Sequence, residues 1–242
     1  MIKKDADYVR LFRKVYEDGD VGINISLKEI TVAIVPGFFV NTFRGVSQSK
    51  IIGNFFEDAI EVFKGFGADI LWLETQTEQS ILKNTQIIID QLKEKKTIIF
   101  FSHSRGCNDV LHALLTSLNL QKNVMGWISL QGLFLGSPIS NFIEKIHLDK
   151  IYGKFLKKIG GSEVIIHEMT MASRLRYLSE YDAEIQKLAL SVSIVSLGSF
   201  IPFKLSLKPD TFLKWSRDLM SLVGYENDGI VHYQSSLLPY SK

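Results

Sequence analysis

Two kinds of hydrophobic pattern alternate along the chain. Short runs of β-branched and aromatic residues, bounded by turn residues, predict buried strands, whereas longer segments with apolar side chains at every third or fourth position predict amphipathic helices. Because helical segments separate the strands, the pattern predicts an α/β fold, a mostly parallel sheet with helices on both faces. The predicted strands are residues 30–36, 69–73, 97–101, 124–130 and 190–197.

Helical periodicity is clearest in three segments. Apolar residues repeat at helical spacing in residues 49–66 and 81–92, and a third stripe follows residue 106. No internal repeat or linker divides the sequence, so we expect one domain over residues 1–242. Residues 140–188 are longer than a simple crossover between the fourth and fifth strands requires, which predicts a cap or lid insertion in that domain.

The first part of that insertion has two interpretations. Residues 140–160 combine regularly spaced apolar side chains with a series of lysines. This composition fits a cap helix whose apolar side rests on the core and whose lysines face water. It also fits a helix that contacts an anionic membrane surface.

Composition and charge narrow the class of protein. A hydrophobic content of 46% over 242 residues is enough for one large core. The net charge of +2 argues against a dedicated nucleic-acid binder, and the single cysteine excludes an intramolecular disulfide. The N-terminal residues lack the apolar segment of a signal peptide, and no run is long enough to cross a bilayer. We therefore expect a cytoplasmic location, with export by another route as the alternative.

A strand-turn-helix pattern surrounds Ser104. The predicted strand at residues 97–101 leads into Ser-His-Ser-Arg-Gly, residues 102–106, and then into helical periodicity. A serine on such a sharp turn exposes its hydroxyl, and N–H groups at the start of the helix stabilise developing negative charge. Ser102 and Gly106 are small enough for this turn. Ser104 is therefore a candidate nucleophile, although an ordinary strand-turn-helix with an incidental serine would give the same pattern.

Function in a parallel sheet lies at the carboxyl ends of its strands, which selects three further loops. After the first strand, Gly37 permits a tight turn that would aim the N–H groups of Phe38 and Arg105 at one point, although a plain Pro-Gly turn is the alternative. After the fourth strand, residues 130–138 are apolar and glycine-rich, as in the wall of a pocket. Asp228 lies in an Asn-Asp-Gly sequence that is also a common structural turn.

These segments, in this order, resemble the α/β-hydrolase superfamily, and within it the bacterial triacylglycerol lipases and related esterases. The resemblance implies a Ser-His-Asp hydrolysis of carboxylic esters, from small molecules or lipids, with a largely apolar acyl part and no cofactor. The implied site consists of Ser104 as nucleophile, Asp228 as acid, and Phe38 and Arg105 as oxyanion-hole amides. The apolar side chains of the loops after the first and fourth strands make Phe39, Leu133 and Phe134 candidate walls of the substrate pocket.

The catalytic histidine is where the sequence departs from that family. In the family it lies well beyond the acid, whereas the only histidine after Asp228 in this chain is His232. Three interpretations are open. His232 is the base, or the chain is a shortened form whose histidine would lie beyond Lys242, or the protein is a non-catalytic binding or interaction protein with a hydrolase-like scaffold.

Other chemistry finds no support in the sequence. The pair His167-Glu168 lacks the second histidine of a zinc helix, and the chain has no cysteine pair. Gly160-Gly161 is not followed by the residues of a phosphate-binding loop. We therefore expect no metal and no nucleotide site.

Overall fold

In the part of the chain that the structure describes, five strands form one parallel sheet in the order β2-β1-β3-β4-β5. The computed structural model describes residues 26–38, 56–76, 78–146, 154, 162, 164–200 and 211–242. The parallel sheet with helices on both faces confirms the predicted fold class. The strands are β1 (Thr31–Val35), β2 (Asp69–Trp72), β3 (Ile98–His103), β4 (Val124–Leu130) and β5 (Ser193–Leu197).

Helices connect the strands and cover the sheet. Most of the predicted helical stripes form helices, and the part of residues 49–66 before Phe56 lies outside the described residues. The helices are α1 (Glu57–Gly65), α2 (Ile81–Leu92), α3 (Gly106–Thr116), α4 (Leu118–Lys122), α5 (Pro138–Lys145), α6 (Ile165–Glu168), α7 (Met171–Glu180), α8 (Asp182–Ser191) and α9 (Thr211–Leu222), and a short 3-10 helix follows (Tyr233–Ser236).

The two faces of β1 bury different layers of the core. Successive side chains of a strand point to opposite faces, so Ala33 and Val35 pack with apolar residues of α2, α3 and α8, whereas Val32 and Ile34 lie in the cluster that α1 covers. All five residues of β1 are buried, which explains why four of them, residues 32–35, form a continuous apolar run.

Two strand boundaries differ from the sequence prediction by more than one residue. β3 continues to His103, two residues beyond the predicted end, because its parallel pairing with β4 extends to the pair His103 and Leu130. β5 begins at Ser193, because Leu190 and Ser191 still belong to α8. The apolar residue Leu190 is 85% exposed, so hydrophobicity alone placed it wrongly in a buried strand.

The insertion at residues 140–188 contains, in its described parts, helices α6 and α7 and most of α5 and α8. Two hydrogen bonds hold its end near α7 against α5. The N–H of Ser137, just before α5, donates to the carbonyl of Met169, at 2.9 Å, and the N–H of Met171 donates to the side-chain Oδ1 of Asn141, at 2.8 Å. Most of residues 147–161, which include the lysine-rich part, lie outside the described residues. The function of this insertion as a cap, and its contact with a membrane surface, stay predictions.

The C-terminal residues return to the sheet. The N–H of Lys242 donates to the carbonyl of Ile194, at 2.9 Å, and its carbonyl accepts from the N–H of Ser196, at 3.0 Å. This is the pattern of a residue paired in parallel with β5. No helix within the described ranges has the length and hydropathy that a bilayer span requires.

Candidate active site

Ser104 lies on the turn between β3 and α3 in a left-handed conformation. Its φ is +53°, a region that non-glycine residues adopt at a cost of about 1–3 kcal/mol. The N–H of Ser104 donates to the carbonyl of Leu130, the last residue of β4, at 2.9 Å, which fixes the turn to the neighbouring strand. The half-buried serine thus stands at the carboxyl edge of the sheet, as a nucleophile on a strand-to-helix turn does.

The loop after β1 packs directly against this turn. A Cβ atom on Gly106 would lie 2.4 Å from the carbonyl oxygen of Pro36, and a Cβ atom on Gly37 would lie 2.9 Å from Cβ of Ser104. Both distances are too short for any side chain, so glycine is required at both positions. This close approach brings Phe38, the residue after Gly37, to the vicinity of Ser104. The role of its amide in an oxyanion hole stays a prediction.

The residue after Ser104 has a buried charged side chain. The guanidinium of Arg105 lies 3.4 Å from Oδ2 of Asp109 and 3.6 Å from Oε2 of Glu168, and it donates to the carbonyl of Gln79. Asn84 donates to Oδ2 of Asp109 at 3.0 Å. Burial raises the pKa of Asp109 to about 7, although Arg105 and Asn84 favour its charged form. The sequence analysis used only the amide of Arg105, and the spacing of Arg105 and Asp109 was the one signal of this cluster.

Asp228 lies in a turn that holds its carboxylate firmly. Oδ1 accepts hydrogen bonds from the N–H groups of Ile230, at 2.8 Å, and Val231, at 2.7 Å. Oδ2 accepts one from Nε2 of Gln131, at 2.8 Å. The sequence analysis did not identify Gln131, whose contact with Asp228 joins two segments far apart in the chain.

Ser104 and Asp228 lie at the same edge of the sheet. Ser104 is hydrogen-bonded to Leu130, and the next residue, Gln131, is hydrogen-bonded to Asp228. The end of β4 therefore links the two predicted catalytic residues.

His232 is not hydrogen-bonded to either of them. Its side chain is buried, and neither ring nitrogen has a hydrogen-bond partner among the residues that the structure describes. The ring lies against Tyr225, with 5.0 Å between the ring centres. Burial lowers the pKa of His232, which favours the neutral imidazole that a general base requires. The role of His232 as the base stays a prediction.

The predicted pocket residues lie in different places. Leu133 belongs to an apolar cluster that includes Phe38, from the loop after β1, and Val231, from the turn of Asp228. Phe134 is fully buried in the main core, where its ring packs edge-to-face against Trp127 with centres 5.9 Å apart. Phe39 lies outside the described residues. The insertion contributes the other members of the cluster around Leu133: Ile165, Ile166, Met169 and Ile143.

Within the described ranges, no group of three His, Cys, Asp or Glu side chains is arranged to hold a metal ion.

Comparison with known proteins gives no matching family model and no matching curated sequence. Solved structures do match. A carboxyl esterase from a metagenome superposes with a TM-score of 0.73 at 24% identity, over 90% of this chain and 63% of the esterase. The chain has the α/β-hydrolase fold.

Other structures with the α/β-hydrolase fold match over a similar share of this chain. The mature lipase BlEst2 of Bacillus licheniformis has a TM-score of 0.64 at 17% identity, over 87% of this chain and 80% of the lipase. Phospholipase PlaB of Legionella pneumophila has a TM-score of 0.53 at 14% identity, over 86% of this chain and 45% of the phospholipase. This chain thus spans less than two thirds of the length of both the metagenomic esterase and the phospholipase.

Proposed function

We propose that the protein is a serine hydrolase that cleaves carboxylic esters with an apolar acyl part. The observation that carries the proposal is the left-handed turn at Ser104, which stands at the same sheet edge as the Asp228 carboxylate. The structural neighbours are named a carboxyl esterase, a lipase and a phospholipase, which supports ester hydrolysis as the class of reaction.

In this proposal Ser104 Oγ attacks the ester carbonyl and gives its proton to a histidine, which passes it to the leaving alcohol. The acyl group stays on Ser104 until water, activated by the same histidine, releases it as the acid. The N–H groups of Phe38 and Arg105 stabilise the oxyanion. The close packing of Gly37 on Ser104 supports this role for the loop after β1.

His232 is the base that we assign in the chain. Its unpaired nitrogens support the assignment, because a buried imidazole without partners costs about 1–3 kcal/mol and gains that free energy once it meets a donor and an acceptor. Catalysis by His232 requires its ring to leave Tyr225 and to contact Asp228, which orients it. The apolar cluster around Leu133 supplies the acyl pocket, which favours lipid-like or aromatic esters over sugars or phosphates.

The second candidate is a non-catalytic binding protein on the same scaffold. The lack of a hydrogen bond from the His232 ring to Ser104 or Asp228, among the described residues, favours it. The two candidates differ in one property, since only the hydrolase has an activated serine.

Labelling with a fluorophosphonate separates the two candidates. The parent chain should be labelled, Ser104→Ala should not, and Ser117→Ala should be labelled like the parent. Ser117 is a suitable control because it lies at the opposite end of α3 and caps α4 through the N–H of Leu120. Labelling of Ser104→Ala would overturn the assignment of the nucleophile, and an unlabelled, folded parent chain would favour the binding protein.

A further inference from the structure

Gln131 occupies an unusual position at the end of β4. It has a φ of +51°, a left-handed conformation that is uncommon for a residue with a side chain, and it is 8% exposed. Its N–H donates to the carbonyl of Leu197, the last residue of β5, at 2.7 Å. The residue therefore joins the ends of two strands and points its side chain along the sheet edge where Asp228 lies.

The amide of Gln131 has only one orientation that satisfies its neighbours. Oε1 accepts from the N–H of Ser199, at 2.6 Å, so this atom must be the oxygen. Nε2 faces three acceptors, namely Oδ2 of Asp228, at 2.8 Å, Oγ of Ser199, at 2.9 Å, and the carbonyl of Ser199, at 3.2 Å. A flipped amide would set a donor against the N–H of Ser199 and an acceptor against the carboxylate.

This orientation determines which acceptor position of Asp228 remains open. Oδ1 already accepts two N–H groups from its own turn, and Oδ2 accepts one from Gln131. An ionised carboxylate oxygen accepts about two hydrogen bonds, so one position on Oδ2 is left among the described contacts. A catalytic acid needs one such position for the N–H of an imidazole.

We propose that Gln131 is a positioning residue for Asp228, acting through this hydrogen bond to present the open position of Oδ2 to the general base. The inference rests on the proposed function of the site. A neutral amide suits this role, because it orients the carboxylate without neutralising the charge that stabilises an imidazolium. A lysine or arginine there would compete with the histidine for that charge, and a glutamate would repel it.

Steady-state hydrolysis of p-nitrophenyl butyrate tests the proposal. Gln131→Ala should lower kcat roughly tenfold or more, the value of about one hydrogen bond, with KM nearly unchanged. Ser199→Ala is the matched control, because it removes one contact of the same Nε2 atom and leaves the bond to Asp228. Its kcat should stay close to that of the parent.

Two further variants separate positioning from a purely structural role. In the background of Asp228→Asn, the change Gln131→Ala should cause little additional loss of kcat, since the carboxylate that it positions is gone. Gln131→Glu keeps the shape of the side chain and should lose more activity at about pH 8 than at about pH 6, because the two carboxylates share a proton at the lower pH.

The outcomes distinguish this inference from the function on which it rests. A parent chain that hydrolyses the ester and is labelled at Ser104, with kcat unchanged in Gln131→Ala, overturns the inference alone. Equal losses from Gln131→Ala in the parent and in Asp228→Asn also overturn it, because they indicate a general effect on folding. A parent chain without labelling or hydrolysis overturns the proposed function and this inference with it.

Discussion

Two residues of the candidate site carry a cost in free energy. Ser104 has a left-handed backbone, and His232 buries two ring nitrogens without a partner among the described residues. Strain and unsatisfied polar groups persist in folded proteins mainly where function requires them. The unpaired nitrogens of His232 and the strained turn at Ser104 therefore both fit a catalytic role. For His232 that role is the general base.

The change His232→Phe separates catalysis from stability at this position. The phenyl ring keeps the shape and the contact with Tyr225 but has no nitrogen to bury, so we expect the free energy of unfolding to stay equal or to rise. If His232 is the base, ester hydrolysis should fall by about 10²–10⁴-fold. Both quantities are measured on one preparation, by urea denaturation and by p-nitrophenyl ester hydrolysis.

His112→Phe is the control for this pair of measurements. His112 is hydrogen-bonded to Tyr177 at 2.9 Å, on the side of α3 that faces α7, so its loss should affect stability and not hydrolysis. Full activity in His232→Phe would show that another group accepts the proton of Ser104.

At the scale of the elements, the sequence predicted the strands of the sheet well. It predicted the side-chain contacts between distant elements less well. Apolar runs marked all five strands, most clearly β1, which is central in the sheet and buried on both faces. The small residues around Ser104 marked the turn. Gln131 was missed because the residue that it contacts, Asp228, lies in a distant part of the sequence. The charged cluster of Arg105 was missed because two of its members, Asp109 and Glu168, lie on different helices. Local periodicity predicts a helix but not which other helix it packs against.

Helix α3 carries one of those charges in a buried environment, which makes stability depend on pH. The pKa of Asp109 is raised by burial from 3.8 to about 7, so the folded chain holds a proton on this carboxyl where the unfolded chain does not. The stabilising contribution of this proton is complete below about pH 4 and is lost as the pH rises towards about 7.

Asp109→Asn should remove this dependence. Between about pH 5 and pH 8, the free energy of unfolding of the variant should improve relative to the parent by about 1–3 kcal/mol. Guanidinium denaturation at the two pH values measures it. Asp90→Asn, at an exposed position on α2 where Asp90 accepts from Gln86, is the control. A difference between parent and Asp109→Asn that does not change with pH would contradict the expectation.

At the scale of the whole molecule, one carboxylate connects the insertion to α2 and to the residue after Ser104. Glu168 ends α6, accepts from the N–H of Ile81 at the start of α2, at 3.1 Å and 3.3 Å, and lies 3.6 Å from the guanidinium of Arg105. The insertion, the start of α2 and the turn of Ser104 therefore share one charged contact. Burial raises the pKa of Glu168, and Arg105 opposes that rise.

Two glutamates of the insertion test how much this connection stabilises the molecule. Glu168→Gln leaves the buried guanidinium of Arg105 with one carboxylate fewer and should lower the free energy of unfolding by about 1–2 kcal/mol at neutral pH. Glu144→Gln removes a more exposed pair, whose carboxylate lies 2.8 Å from Nδ1 of His167, and should change it by less than about 0.5 kcal/mol. Equal denaturation midpoints for the two variants would contradict this difference.

The single cysteine of the chain is a built-in probe of local unfolding around α3. Cys107 lies in the first turn of α3, is fully buried, and has its pKa raised by burial to about 12. A thiol reagent in neutral solution therefore meets neither an accessible sulfur atom nor a thiolate while α3 stays packed. Alkylation of Cys107 then proceeds only through molecules in which this helix has come away from the sheet. The rate of alkylation therefore reports how often the segment next to Ser104 unfolds locally.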